Sequence, residues 1–260
     1  MRTLLLQKLL LFLFFPPILL IGQESSPNYY NYERLGISSG AHIYFIKDDI
    51  ISPVIYKGTT VPFNLNYDRS NRGGNFEVGL SFDKSTLESS ITERQEFTET
   101  LQKHFSEYWS LQIYGHYLNK VVQKDKFRFL AGARMHGLGV YRLHTVVKQL
   151  PWDIGYGFVN FQAAFLAQRQ TFKNHWLDIY AAYGLVALTM GNQYSRVFTG
   201  SNWQFAGKFS NLYTRITYHI PWTKKLDSGL EYRFNYQAYD KNLPYQLASH
   251  QILVALNYRM

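Results

Sequence analysis

The chain has 260 residues and no cysteine, which excludes disulfide staples, thiolate metal sites, cysteine nucleophiles and a lipidated cysteine anchor together. Its formal charge is +9, but the 27 Lys and Arg residues are scattered, and an export signal would carry the chain away from cytosolic nucleic acid. Tyrosine (21) and phenylalanine (19) are more abundant than an ordinary soluble core calls for.

Residues 1–22 read as a secretory signal. Arg2 and Lys8 precede an apolar stretch from Leu9 to Ile21, and Gly22 or Gln23 marks a cleavage neighbourhood with a poor small-residue signature. The alternative is a transmembrane anchor. The stretch is short for a span of ~20 residues, and Pro16 and Pro17 in its middle would disturb a helix. Without Arg2 and Lys8 the charge falls from +9 to +7 on residues 23–260, which read as one domain. No later apolar run approaches the length of a spanning helix, so membrane residence would require a closed sheet.

Alternation with a period of two recurs along that domain and predicts ten strands, at about 33–46, 60–69, 74–85, 105–121, 126–142, 152–170, 175–190, 203–220, 226–239 and 246–259. The second sets Val61, Phe63, Leu65 and Tyr67 against Asn64, Asn66 and Asp68, and the third sets Phe76, Val78, Leu80 and Phe82 against Glu77, Ser81 and Asp83. In the fourth, Trp109, Leu111, Ile113 and Tyr117 oppose Ser110, Gln112 and His116. In the fifth, Phe127, Phe129 and Met135 oppose Arg128, Arg134 and His136. Near the end, Leu212, Ile216 and Ile220 oppose Arg215 and His219, and Leu230, Tyr232 and Phe234 oppose Glu231, Arg233 and Asn235. The first, sixth and seventh strands alternate less cleanly, and eight or twelve strands remain open alternatives.

The connections alternate long and short, as they do where long loops lie on one side of a membrane and tight turns on the other. Residues 47–59, 86–104 and 143–151 are long; 70–73, 122–125 and 171–174 are short. Even strand parity puts both mature termini on the short-turn side. Residues 86–104 read as an acidic loop, a short helix or extensions of the flanking strands: Phe97, Leu101 and Phe105 share the parity of Trp109, as extension would have it, and their spacing equally fits one face of a helix. Asp48 and Asp49, with Pro53 and Gly58, read as a strand breaker and turn at the external rim; a cation site is the alternative. The five tryptophans fall near strand ends, Trp109, Trp152 and Trp203 on one side and Trp176 and Trp222 on the other, as an aromatic girdle would have them.

The whole pattern resembles the bacterial outer-membrane β-barrels, especially uncharacterised barrels of the Bacteroidetes type. The last strand carries the most local likeness: His250, Ile252, Val254, Leu256 and Tyr258 alternate to the C-terminus. Such strands are read by the barrel-assembly machinery, often through a terminal aromatic; here Met260 keeps the apolar parity but departs from that residue type. The resemblance implies an all-β, antiparallel up-and-down transmembrane barrel in the outer membrane, with periplasmic termini. Lipid and lipopolysaccharide would be its surroundings and partners, with no nucleic acid partner.

No catalytic constellation emerges. Omptin-like outer-membrane proteases use an Asp-x-His arrangement, which is absent, and Ser249 and His250 as neighbours point to opposite faces. His136, His144, His175 and His219 have no metal-ligand spacing, and nothing implies a cofactor. Arg128, Arg134, His136, Arg215, His219, Glu231, Arg233 and Arg259 share the lumenal parity with Glu77, Asp83, Asn235 and Gln237, which predicts a polar, net positive interior. In a pore such an interior would favour anions. In a narrow barrel Arg215 or Arg233 would pair with Glu231 and fill the lumen. The sequence therefore points to a non-enzymatic structural or loop-mediated binding barrel. A narrow anion-preferring pore is the alternative, and a lipid or peptide hydrolase or a secreted soluble barrel with an apolar ligand stands further off.

Overall fold

The computed structural model describes residues 30–48, 52–94, 101–145, 152–172, 175–191, 200–239 and 245–260. Twelve strands occupy most of them: β1 (Tyr32–Asp48), β2 (Ser52–Thr60), β3 (Phe63–Ser70), β4 (Gly74–Arg94), β5 (Leu101–Lys124) and β6 (Phe127–Thr145). The remainder are β7 (Trp152–Gln170), β8 (Trp176–Gly191), β9 (Gly200–Phe205), β10 (Phe209–Pro221), β11 (Leu226–Tyr239) and β12 (Tyr245–Arg259). Every pairing is antiparallel, and β12 returns to β1 from Arg34 opposite Arg259 to Asp48 opposite Tyr245, so the sheet closes. Closure gives each full-length stave two paired neighbours, the condition for a sheet in lipid, whereas the short β9 pairs only β8 among the described residues.

Twelve strands make ten staves. β2 and β3 both lie between β1 and β4, in one continuous register interrupted at Val61-Pro62, where proline has no N–H to give the ladder. β9 and β10 likewise both pair β8, offset by the turn Ala206-Gly207-Lys208; Gly207 has φ +102°, a left-handed backbone that glycine adopts without a Cβ clash. The long connection expected at 47–59 is therefore shorter: β1 ends at Asp48 as expected, but Pro53 lies within β2, which begins at Ser52 opposite Asp48, and a second interruption falls at Pro62. Strand extension likewise accounts for much of 86–104, since β4 continues to Arg94 opposite Leu101 of β5.

Side chains sort by parity. Outward positions form an apolar skin, for example Leu35, Ile37, Phe76, Val78, Leu80, Leu111, Ile113, Leu230, Ile252 and Val254, all exposed, while arginines, carboxylates and amides lie buried inside. This inversion of the soluble pattern is that of a transmembrane β-barrel. Among the described residues no helix is long and apolar enough to cross a membrane.

The tryptophans divide differently from the expected girdle. Trp109, Trp203 and Trp222 are exposed on the outside, but Trp176 is buried in the lumen, stacked on His219 at 4.6 Å between ring centroids. The first residue of a strand can point either way, and its parity here matches that of Asp178 and Tyr180. Trp152 opens β7, and its side chain lies outside the described residues.

Candidate functional site

The lumen gathers the chemistry of this chain, and it is packed in tiers. At the end bearing the termini, Arg34 of β1 donates to Asp68 of β3 through Nε at 3.0 Å and Nη2 at 2.7 Å, and its Nη1 lies 3.2 Å from His219 Nδ1. His219 Nε2 reaches Asp178 of β8 at 3.2 Å, and Asp227 of β11 accepts from Arg259 Nε at 2.9 Å and Asn257 Nδ2 at 2.7 Å. Asn75 donates to Asp68 at 2.7 Å and meets His116 Nε2 at 2.5 Å. One hydrogen-bonded web thus joins staves from all around the barrel. Below it, Arg128 spans the mouth to the β3–β4 turn, donating to Asn71 O at 2.7 Å, Ser70 Oγ at 2.9 Å and Gly74 O at 3.2 Å, with its guanidinium over the Tyr30 ring.

The middle tier is held by Glu77 and Arg215, 138 residues apart in sequence, in a bidentate pair with both N–H···O distances at 2.6 Å. Arg233 bonds Glu231 through Nε and Asn64 Oδ1 at 3.1 Å, and Arg134 donates to Gln162 at 2.8 Å beneath the Tyr213 ring. Arg215 therefore pairs across the lumen with Glu77 and not with Glu231. Among the described residues seven lumenal arginines (Arg34, Arg128, Arg134, Arg142, Arg215, Arg233, Arg259) face six carboxylates (Asp68, Glu77, Asp83, Asp178, Asp227, Glu231). Arginines against carboxylates leave one formal positive charge on this interior. His136 lies on the same inner wall, with Nε2 3.2 Å from Gln112 Oε1.

Toward the loop end the lumen turns apolar. Tyr44, Ile46, Tyr56, Leu87, Tyr108, Leu138, Val140, Tyr156, Phe158, Phe209, Tyr239, Tyr245 and Leu247 form one buried cluster. Phe158 and Phe209 lie 5.0 Å apart, and the Tyr156 and Tyr245 hydroxyls meet at 2.7 Å. Buried Arg142 sits against the Tyr56 ring. Under this plug Asp83 accepts from Tyr44 at 2.6 Å and from Ser110 at 3.2 Å, and His42 Nδ1 is 3.2 Å away.

That last group brings a serine, a histidine and an aspartate together, which no local spacing showed. A nucleophilic relay needs the serine to give its proton to the histidine. Here Ser110 and His42 both address Asp83, the far nitrogen of His42 faces the Gln251 amide at 3.2 Å, and both His42 and Asp83 are 1% exposed or less. The arrangement knits strands and offers a substrate no approach. Among the described residues no group of His, Asp and Glu is disposed to hold a metal ion. The backbone of Asp48 ends β1, whereas its side chain and all of Asp49 lie outside the described residues.

Parity missed Arg34, His42, Asp178, Asp227 and Arg142 as lumenal partners. Arg34 and His42 sit in a strand whose inner face ends in Tyr44 and Ile46, and Asp178 shares its face with Trp176, Tyr180 and Ala182. A charged residue alternating with aromatics on the same face was the signal available.

A closed antiparallel barrel with this lumen defines the class: the fold is that of the outer-membrane β-barrels. The structure is similar to the outer membrane protease OmpT of Escherichia coli, with a TM-score of 0.58 and 8% identity over 89% of this chain and 97% of that one. It is more distantly similar to the translocator domain of the autotransporter NalP of Neisseria meningitidis (TM-score 0.45, 10% identity, 88% of each chain). The toluene transporter TodX of Pseudomonas putida follows (TM-score 0.37, 9% identity, 90% of each chain). No family model matches the chain, and no curated protein matches it in sequence.

Proposed function

We propose that this protein is a non-enzymatic outer-membrane barrel whose lumen is sealed and whose role is carried by the loops at the end opposite its termini. One observation carries the reading: buried side chains occupy the lumen from Arg128 at one mouth to the Tyr156–Tyr245 plug at the other, many of them bonded to one another. In this reading residues 1–22 are the export signal, the termini face the periplasm, and the β12 strand addresses the assembly machinery. Lipid and lipopolysaccharide surround the apolar skin.

A pore would need a continuous wet path, and the near balance of lumenal charge gives anions little preference. A protease role by likeness to OmpT would need an exposed acid–histidine site, and the acid–histidine pairs among the described residues, His42–Asp83, His116–Glu77 and His219 with Asp178 and Asp227, are all buried. The test is conductance: folded protein reconstituted in a planar bilayer is expected to be silent across a salt gradient. Stable steps with an anion-selective reversal potential would overturn the sealed scaffold in favour of the narrow pore.

A further inference from the structure

The outer skin is interrupted on one side. Register aligns Leu111 of β5, Gly139 of β6, Gly157 of β7 and Met190 of β8 in one row across four staves, with Gly137 and Gly155 in the rows beside it. These are outward positions in the loop-end half, so the glycines leave a trough along β6 and β7, walled by Leu111, Trp109 and Tyr141 on one side and Met190 on the other. Its volume is about 620 Å³ and its lining is almost wholly apolar. The trough is shallow and open to the outside along the barrel wall.

Sheet geometry does not demand all of these glycines. A Cβ on Gly157 would come within 2.9 Å of Leu138 O, so that position must stay bare. On Gly139 it would meet nothing nearer than 4.0 Å, and on Gly137 nothing nearer than 3.7 Å. Glycine in a strand costs conformational entropy and gives up packing, and it commonly marks a place where something else approaches the backbone. At the loop-end rim the skin changes character: Lys84 follows Phe82 on β4, its ammonium 4.8 Å from the Trp109 ring centroid, and Glu107 stands on the same face of β5. Charge at that height marks the headgroup level, with the trough descending from it into the apolar band.

We propose that the trough seats one acyl chain of lipid A, the phosphorylated acylated sugar that anchors lipopolysaccharide, with Lys84 held against a phosphate at the rim. The site faces the hydrocarbon, where an acyl chain is the occupant at hand, and a cation at its upper end complements a phosphate rather than a neutral headgroup. The choice of lipid A rests on the orientation under Proposed function, in which the loop end is external.

The test uses the whole folded protein, exchanged in detergent against equimolar lipid A, phosphatidylglycerol and phosphatidylcholine, with retained lipid read by native mass spectrometry. Wild type is expected to keep one lipid A. Gly139→Phe, for which the sheet has room, should lose it while keeping the heat-modifiable mobility of a folded barrel, and Gly139→Ala should retain it. Lys84→Gln should lower the preference for lipid A over phosphatidylcholine about fivefold, the equivalent of roughly 1 kcal/mol for one interfacial cation. Equal retention by Gly139→Phe and wild type would overturn the trough as the site. Equal retention of phosphatidylglycerol and lipid A would overturn the assignment to lipid A. Conductance by the same preparation would instead refute the sealed lumen and leave the trough standing.

Discussion

Replacing Glu77 isolates the central brace of the lumen. Its carboxylate is 2% exposed and takes both prongs of the Arg215 guanidinium at 2.6 Å, with His116 Nδ1 at 3.8 Å. Breaking one partner of a buried pair costs about 3–5 kcal/mol, mostly because the other charge is left without compensation. Glu77→Gln should fall near the lower figure, since Arg215 keeps 12% side-chain exposure and a contact with the Tyr180 ring. Arg215→Met should fall near the upper figure, because it strands a carboxylate with almost no exposure. With a urea slope of about 2 kcal/mol/M, midpoints would drop by about 1.5 M and about 2.5 M respectively. The double variant Glu77→Gln/Arg215→Met should be at least ~2 kcal/mol more stable than the sum of the two losses implies, because neither charge is left alone. Urea unfolding of the barrel in lipid vesicles, followed by tryptophan fluorescence, reads all three. Additive losses within ~0.5 kcal/mol would refute the brace and mean that the two residues act independently.

Arg128→Ala should cost about 2–3 kcal/mol, because several buried carbonyls lose a charged donor at once, and should expose the chain around Tyr30 to limited proteolysis; unchanged cleavage would count against the mouth being tied. Phe158→Ala should destabilise by about 3–5 kcal/mol through a cavity in the aromatic plug, measured by the same urea transition. Leu80→Arg, in the apolar skin, should cost about 2–4 kcal/mol in a bilayer if it lies near the midplane, and refolding yield into vesicles would report it. His42→Ala should leave the fold assembled and create no loss of any hydrolytic activity, since the wild type is expected to have none against peptide or ester reporters.

The number of staves was legible because β4, β5, β10 and β11 set mostly polar residues opposite apolar ones along much of their length. β1, β7 and β8 were harder for three separate reasons. The inner face of β1 ends in Tyr44 and Ile46, which enter the plug, so both of its faces are apolar there. In β7 the inward Tyr156 and Phe158 enter the plug, while Ala164 and Leu166 join a second buried apolar cluster with Leu118, Leu130 and Tyr180. In β8 a bulge at Leu185 inserts one residue between Gly184 and Val186 and reverses the parity. Inward direction is a local property and could be read for Arg215 or Glu231. Partnership is set by closure, so neither the Glu77–Arg215 pair nor the inward turn of Trp176 followed from periodicity.

The seam between β1 and β12 has a consequence for how the protein comes into being. Its ladder joins Arg34 to Arg259, the two ends of the sheet, so it forms only when the last strand is present. Arg34 meets Asp68 early in the sequence, but Asp227, Asn257 and Arg259 complete the web from the final two strands. Until then these charges face water in an open sheet, and their desolvation coincides with the last and most distant strand pairing. Long-range pairing is slow because loop entropy is lost before contacts form. Closure should therefore be the rate-limiting event of maturation, and a chain truncated before Tyr245 should persist as a hydrated, protease-sensitive precursor.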